Sequence, residues 1–314
     1  KLAAERITPK ATPQPKHAML YLHGGAFCAG SPRSHRSITT RLSRLANCEV
    51  LAVHYRRVPE HPFPAQIEDS LAGYKELLKR GYKPEHIAVG GDSAGGTLTL
   101  LLFKALELEG LPTPKCLVMM SPAFDAKLNS DSVKKYKQLD PMINIEWGMQ
   151  GFAWYRPRHD HTLAFPKRQD LSTLPPTLVQ VGEIEVLHDD SVWLLHASKR
   201  FDRHVELEVY KGRWHVFQLH TGVLRSADEA VARLAAFTHA HLPRAAADGV
   251  DEHTVVVMGA GMSGICTAIQ LQKAGLQNFV LLEKQPGLGG TWWDNTYPGA
   301  HVDVPAPAYA NSFA

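Results

Sequence analysis

Between residues 18 and 242, short apolar runs alternate with longer segments that have helical spacing, and this alternation constrains the possible fold more than any other feature. The apolar runs, such as "AMLYL" and "CLVMM", carry hydrophobic residues at consecutive positions. Strands have this composition when both faces of their sheet are covered. Repeated strand and helix units of this kind predict an α/β domain with a doubly wound, mostly parallel sheet, which we assign to residues 1–242.

The alternation stops between residues 121 and 176, where the sequence becomes aromatic and proline-containing, as in "INIEWGMQGFAWYRPRHD". An insertion this long in a compact fold is more often a lid or a binding element than an idle loop. We therefore predict cap elements at residues 121–176, and a second cap element at residues 1–17. Residues 243–253 are small, polar and acidic, which is typical of a linker, and a further segment follows at residues 254–314.

The stretch "GGDSAGG" places Ser93 at the centre of a GxSxG pattern, after an apolar strand and before a long apolar helix. A serine at such a turn lies in a strained backbone conformation, and neighbouring glycines let the turn close. The pair Gly24 and Gly25 in "LHGGAF" ends an earlier strand. Paired glycines permit the close backbone approach that an oxyanion hole requires. A loop that merely needs glycine is the structural alternative for either motif.

A serine nucleophile needs a base to take its proton and a carboxylate to orient that base. In a sheet of this type the chain order is serine, acid, histidine. Among the 17 histidines, His215 follows a late strand and precedes the last helix, so it can reach back over the strand ends. We predict His215 as the base. Six histidines in helices or polar loops are interpreted as surface residues: His17, His35, His159, His161, His239 and His241.

Four carboxylates follow the strand that ends near residue 181: Glu183, Glu185, Asp189 and Asp190. Asp189 or Asp190 suits the N-cap of the next helix. Glu185 lies between two apolar residues, where an uncompensated charge would be costly. Glu185 is therefore the predicted acid.

Together these motifs resemble the hormone-sensitive lipase family of α/β-hydrolases, and the resemblance covers residues 18–242. "HGGAF" is similar to the HGGG motif of that family, with Ala26 in place of the third glycine, and "GDSAGG" matches its nucleophile motif. "YRRVPEHPFPAQIED" resembles a further family signature, whereas "EVL" carries Glu where the family usually has Asp. The resemblance implies a serine carboxylesterase that works through an acyl-enzyme. The triad and oxyanion residues that it implies are Ser93, Glu185, His215, Gly24, Gly25 and Ala94.

Near the C-terminus, the strand "TVVVM" runs into the GxGxxG pattern "GAGMSG", a helical segment follows, and Glu283 ends the next strand. In such a βαβ unit, the glycines Gly259, Gly261 and Gly264 let a pyrophosphate approach the helix N-terminus, and the acid binds a ribose hydroxyl. The following "GGTWWDNTYPGAHVDVPAPAYANSF" resembles the start of flavin-dependent Baeyer–Villiger monooxygenases. The resemblance implies a partial FAD-binding, Rossmann-like segment of an esterase and monooxygenase fusion, in which only the full-length fusion binds FAD.

Charge and composition narrow the function further. A net charge of +3, without a long run of Lys and Arg, argues against nucleic-acid binding. No apolar run reaches the roughly 18 residues of a membrane helix, and the four cysteines lack metal-ligand spacing. We therefore expect a cytoplasmic esterase without metal or cofactor, for which a homodimer is left open.

The expected substrates are small to medium acyl esters. Acetates and lactones are specific candidates, because the oxygenase of such a fusion makes esters or lactones from ketones and the hydrolase would open them. Two alternatives remain open at this point. One is a fragment of an FAD-dependent Baeyer–Villiger monooxygenase in which the hydrolase part is a scaffold. The other is a hydrolase-fold protein that binds a ligand without catalysis.

Overall fold

The computed structural model describes residues 3–243, 255–273 and 279–283. The chain divides into two units, Lys1–Arg244 and Ala245–Ala314. The first unit holds one sheet with the strands β1 (Ala3–Ile7), β2 (Ala18–Leu22), β3 (Glu49–His54), β4 (Ile87–Asp92), β5 (Cys116–Met120), β6 (Thr177–Gly182) and β7 (Val205–Tyr210). Its helices are α1 (Arg36–Leu45), α2 (Ala65–Lys79), α3 (Ala94–Leu108), α4 (Asp131–Tyr136), α5 (Ile145–Tyr155), α6 (His188–Lys199) and α7 (Arg225–His241).

The sheet has the strand order β1-β3-β2-β4-β5-β6-β7. The neighbouring pairs from β3 to β7 are parallel, and β1 alone runs antiparallel, along β3. The predicted doubly wound, mostly parallel sheet is therefore confirmed. The chain runs from β2 outward to β3 and then crosses back to β4, so the direction of winding changes between β2 and β4. At such a point, the carboxyl ends of the central strands form the crevice in which α/β folds place their sites.

Two hydrophobic layers cover the sheet, one on each face, and strand β2 contributes side chains to both of them. Leu20 and Leu22 pack into the layer that contains helices α2 and α3, whereas Met19 and Tyr21 face the layer that contains α1 and α7. Successive side chains of a strand point to opposite faces. All five residues of β2 are buried, because both faces of the sheet are covered by helices.

Strand β1 differs from the prediction for residues 1–17, which we assigned to the cap. Its residues pair with β3 at the edge of the sheet, with Glu5 opposite Ala52. The strand reads "AAERI" and is mostly exposed or half-buried. Edge strands are often short and charged, so no apolar run marked this one in the sequence.

The insertion between β5 and β6, which is predicted to be a cap, carries the helices α4 and α5. Helix α5 begins after Asn144, whose side-chain oxygen accepts a hydrogen bond from the Trp147 amide (3.0 Å). It ends at Arg156, which adopts a left-handed conformation with a φ of 50°. At its last turn the ring of Tyr155 stacks on Phe27, with ring centroids 4.0 Å apart. This contact places α5 over the loop that follows β2.

The second unit is described by two strands and a helix: β8 (Val255–Met258), α8 (Met262–Lys273) and β9 (Phe279–Leu282). The two strands are parallel, so the predicted Rossmann-like βαβ arrangement is confirmed. Most of the predicted linker, residues 244–253, and the monooxygenase-like motif after residue 284 lie outside the described residues. In the described part of the chain, no helix has both the length and the apolar character needed to cross a membrane.

Candidate active site

Ser93 lies at the sharp turn between β4 and α3, with a φ of 52° and a ψ of −120°. This conformation is rare for a residue other than glycine. The turn is crowded: a Cβ on Gly95 would lie 1.9 Å from the Leu22 carbonyl oxygen, and one on Gly91 would lie 2.5 Å from the Gly95 carbonyl oxygen. The Ser93 amide donates to the Met120 carbonyl oxygen (2.8 Å), which ties the turn to β5. The turn at Ser93 therefore has the strained backbone conformation that the sequence predicts.

Ser93 and His215 both line a chamber of about 200 Å³. The two residues come from opposite halves of the first unit, and the fold brings them together. Apolar side chains from the cap and from the loop before α6 form much of the remaining wall: Leu128, Met142, Ile143, Trp147, Phe152 and Leu187. Within the described ranges, no group of three or more His, Cys, Asp or Glu side chains has an arrangement that could hold a metal ion.

Glu185 and His215 form a buried pair. The Glu185 side chain is fully buried, and its Oε1 lies 3.4 Å from Nδ1 of His215. Its Oε2 accepts hydrogen bonds from the Ser121 hydroxyl and the Gly182 amide, both at 2.8 Å. These donors compensate the buried charge. Because a carboxylate can only accept, Nδ1 is the donor in this contact, which leaves Nε2 as the nitrogen that can accept a proton.

The loop after β6 brings Glu185 to His215 because it lies against the loop after β7. The Ile184 amide donates to the Arg213 carbonyl oxygen (3.0 Å). A Cβ on Gly182 would lie 2.3 Å from that same oxygen, so the two loops approach too closely for any side chain there. Sequence alone could not show this approach between two separate loops.

Asp189 and Asp190 lie in the first turn of α6, whose N-cap is Leu187, so the N-cap role considered for them is wrong. Asp190 instead accepts the Phe124 amide (2.7 Å) and pairs with Lys167 (2.7 Å). Burial raises the pKa of the Asp190 carboxyl, and Lys167 opposes that shift. Asp190 therefore ties the start of α6 to the cap insertion.

One predicted oxyanion donor is contradicted by the structure. The Gly24 amide donates to Oδ2 of Asp92 (3.1 Å), so it is already engaged. A Cβ on Gly24 would lie 2.2 Å from that oxygen and 3.0 Å from Cβ of Ser93. Gly24 is thus needed for the packing of its loop on the nucleophile turn, and its predicted role as a donor to the oxyanion is wrong.

The chamber wall also contains Gly25, Ala26 and Ala94. Among the hydrogen bonds of the described residues, none uses the amide of Gly25 or Ala26. Ala94 is the first residue of α3, where the helix leaves an amide without a partner. Ala26 stands where the family motif has its third glycine.

Two residues of the chamber wall, His35 and Asp92, were not identified as site residues from the sequence. His35 is only 5% exposed, although its position in a polar loop indicated a surface residue. Its Nε2 lies 3.2 Å from Oδ2 of Asp92, whose other oxygen, Oδ1, accepts the Tyr21 hydroxyl (2.7 Å). Burial alone would raise the pKa of the Asp92 carboxyl, but His35, together with the Tyr21 hydrogen bond and His23, outweighs burial and holds that pKa below its ordinary value.

In the second unit, the glycine turn has the crowded backbone that a dinucleotide cradle requires. Gly259 has a φ of 89°, and a Cβ on Gly264 would lie 1.8 Å from the Gly259 carbonyl oxygen. Gly261 accepts the Ile265 amide (3.0 Å) at the start of α8. Glu283 accepts the backbone amide of residue 260 (2.5 Å), so it lies at the same turn. The described residues therefore fit the pyrophosphate half of a dinucleotide.

Two protein-family profiles match different parts of the chain. The profile described as the α/β-hydrolase fold matches residues 19–219, and one described as an NAD(P)-binding Rossmann-like domain matches residues 257–313. The first match covers most of the hydrolase unit. The second is a nucleotide-binding description that does not single out FAD.

Among the similar proteins are a bacterial acetyl-hydrolase and bacterial esterases. An acetyl-hydrolase of Streptomyces hygroscopicus is 39% identical over 238 residues, which are 74% of this chain and 78% of that protein. An esterase of Acinetobacter venetianus is 35% identical over 73% of this chain and 76% of its own length. The crystal structure of an esterase from the bacterial hormone-sensitive lipase family superposes with a TM-score of 0.72 at 37% identity, covering 77% of this chain and 85% of that one. The chain therefore belongs to the hormone-sensitive lipase family of α/β-hydrolases and is a serine carboxylesterase.

Proposed function

We propose that Ser93, His215 and Glu185 are the catalytic triad of this esterase. Nε2 of His215 takes the proton of the Ser93 hydroxyl as its oxygen attacks the ester carbonyl carbon, and Glu185 stabilises the resulting imidazolium. The imidazolium returns the proton to the leaving alcohol as the ester bond breaks. A water molecule, deprotonated by His215, then hydrolyses the acyl-enzyme and releases the acid. The observation that carries the proposal is that Ser93, at its strained turn, and His215 line one chamber, while Glu185 lies 3.4 Å from His215.

We also propose that the amides of Gly25, Ala26 and Ala94 bind the oxyanion. An oxyanion hole needs donors about 2.7–3.1 Å from the developing charge. Gly25 and Ala26 support this role because both line the chamber and neither amide is used elsewhere among the described residues. Ala94 supports it through its place at the start of a helix, where the macrodipole favours negative charge.

The proposed substrates are esters of small to medium acyl groups, with acetates first. A chamber of about 200 Å³ is smaller than the roughly 300–1,000 Å³ of pockets that enclose drug-sized ligands. Its apolar cap residues suit an alkyl chain of a few carbons. The name of the Streptomyces relative, acetyl-hydrolase, supports acetyl esters among these substrates.

We propose that the second unit is part of the FAD-binding domain of a Baeyer–Villiger type monooxygenase. The glycine turn of residues 259–264 would hold the pyrophosphate of FAD and Glu283 its ribose, and in a full-length fusion the flavin would supply oxidation chemistry. The turn geometry and the Rossmann-like profile support a dinucleotide, and the motif after residue 284 supports the monooxygenase origin. Such an oxidation yields esters or lactones, which the hydrolase unit would open.

The alternative, in which the hydrolase part is only a scaffold, is not favoured, because relatives of that part are named as an acetyl-hydrolase and an esterase. Stoichiometric flavin absorbance in the purified protein, without ester turnover, would favour it again. Cytoplasmic residence and a homodimer stay predictions, which cell fractionation and the molar mass in solution test.

Ser93→Ala tests the proposed triad. The variant should lose at least about 10³-fold in kcat/KM for p-nitrophenyl acetate, because the acyl-enzyme cannot form. Intact-protein mass spectrometry should find one fluorophosphonate adduct on the wild type and none on the variant. Ser172→Ala is the control, since this hydroxyl bonds Asp170 in an exposed loop. Activity of Ser93→Ala within tenfold of wild type would contradict the assignment.

A further inference from the structure

His35 is a buried histidine whose two ring nitrogens both face acceptors. Nε2 lies 3.2 Å from a carboxylate oxygen of Asp92, and Nδ1 lies 3.1 Å from the Ser31 carbonyl oxygen. Carbonyl and carboxylate oxygens can only accept, so both nitrogens carry a proton when both bonds are made. The Ser34 hydroxyl, 3.0 Å from Nδ1, is itself 2.9 Å from the Ser31 carbonyl oxygen and can donate to that oxygen. Only an imidazolium can donate in both bonds at once, and His35 lies in the wall of the active-site chamber.

Asp92 connects His35 to the groups around the nucleophile. It directly precedes Ser93, and the oxygen that faces His35 also accepts the Gly24 amide (3.1 Å). Its other oxygen accepts the Tyr21 hydroxyl (2.7 Å). One carboxylate therefore joins the nucleophile turn to the loop of residues 24–30, which carries the proposed oxyanion amides. A Cβ at Gly24 would collide with this carboxylate, so the loop packs directly against Asp92. A shift of the Asp92 side chain would therefore shift the loop.

The groups that face His35 define its charge balance. From β2 and the residue after it come Tyr21 and His23, with ring centroids 6.2 and 5.6 Å from the His35 ring. Burial lowers the pKa of His23 to about 4 and raises that of Tyr21 well above its ordinary value, so both are neutral near pH 7. From the end of β4 comes the Asp92 carboxylate, and His215 lines the same chamber. Burial opposes a charge on His35, but Asp92 and the Ser31 bond outweigh it and raise the pKa of His35 above its ordinary value.

We propose that His35, in its protonated form, is a positioning residue that holds Asp92 against the Gly24 amide and thereby sets the oxyanion loop beside Ser93. This inference rests on the proposed function of that loop. Oxyanion contacts form in the transition state, so their disturbance lowers kcat more than it raises KM. The ion pair is complete below the pKa of His35 and is lost as the pH rises through it. The kcat of the wild type should therefore fall on the alkaline side.

His35→Gln is the test, because its amide can still donate to Asp92 but neither titrates nor carries charge. We expect a loss in kcat for p-nitrophenyl acetate of at least about tenfold, as small misplacements of reacting groups cost about that much or more, with KM within threefold. The alkaline fall in kcat should disappear in this variant. His196→Gln, at an exposed position of α6, is the control and should keep the wild-type profile. A kcat within twofold of wild type, or an unchanged alkaline fall, would overturn the proposal.

Nitrogen-15 NMR of the His35 ring in the wild type gives a readout that needs no turnover. The proposal expects imidazolium shifts for both nitrogens at pH 7 and deprotonation over the pH range in which kcat falls. A neutral ring at pH 7 would refute it, even if His35→Gln failed to fold. A wild type with an imidazolium at His35 but without ester turnover would instead contradict the proposed function. The two failures are thus distinguishable.

Discussion

At the scale of single residues, Ser121 is a buried hydroxyl that joins the proposed acid to the loop of the proposed base. It lies just after β5 with a φ of 49°. Its hydroxyl donates to Oε2 of Glu185 (2.8 Å) and accepts the Val216 amide (3.2 Å), next to His215. Both bonds are buried, where a lost partner costs most. Ser121 therefore positions Glu185 relative to His215.

Replacing this hydroxyl predicts a combined loss of rate and stability. Ser121→Ala leaves Glu185 with one donor fewer and the Val216 amide unpaired, so we expect about 1–3 kcal/mol lower unfolding free energy. Because the pair with His215 loosens, kcat should also fall, by about tenfold or more. Urea unfolding and steady-state kinetics measure the two effects. Ser70→Ala, which removes a buried hydroxyl bonded within α2, should leave kcat unchanged.

An unchanged kcat in Ser121→Ala would contradict the positioning role. A loss of stability alone, equal to that of Ser70→Ala, would leave Ser121 as an ordinary buried hydroxyl.

At the scale of elements, helix α5 decides how much room the chamber has. It contributes Trp147, Gly148 and Phe152 to the wall. A Cβ on Gly148 would lie 3.1 Å from Cδ1 of Leu128, which lines the same chamber. A side chain at Gly148 would therefore push Leu128 or occupy the chamber itself, and either change reduces the space for an acyl chain.

Gly148→Val should shift the acyl preference towards acetate. We expect the kcat/KM ratio of p-nitrophenyl hexanoate to acetate to fall by at least about fivefold, since each buried methylene is worth about 0.8 kcal/mol. Ala153→Val, at an exposed position of the same helix, adds a branched side chain outside the chamber and is the matched control. An equal ratio in both variants would show that α5 does not bound the acyl site.

At the scale of the whole molecule, all the proposed catalytic and oxyanion residues lie in the first unit. A chain that ends at residue 243 should therefore keep kcat/KM for p-nitrophenyl acetate within about twofold of the full chain. Steady-state kinetics and thermal unfolding of the two chains measure this. A tenfold loss in the shorter chain, with its melting temperature unchanged, would mean that the second unit contributes to the ester site.

Features that depend on neighbouring residues could be predicted from the sequence. The alternation of apolar runs and helical segments predicted the sheet and its helices, because burial of both faces of a strand shows in consecutive residues. The turn at Ser93 was visible for a similar reason, since its glycines lie within two or three residues of the serine. The cost of an uncompensated charge indicates Glu185 as the acid, but only the structure shows the donors that compensate it.

Contacts between distant segments could not be predicted in this way. The Gly24 amide and Asp92 are 68 residues apart, and the sequence held no sign that this bond removes Gly24 from the oxyanion donors. His35, 57 residues from Asp92, read as a surface histidine because the helix and loop around it are polar. Strand β1 was missed because an edge strand needs no apolar run.

The sequence by itself determined the fold class and the chemical type of the nucleophile, because both follow from local backbone geometry and from the pattern of burial. Only the tertiary structure decided which amides are left for an oxyanion and which histidine lies buried beside Asp92. Those properties depend on which donors and acceptors meet across the sheet. Chain neighbours do not specify such meetings.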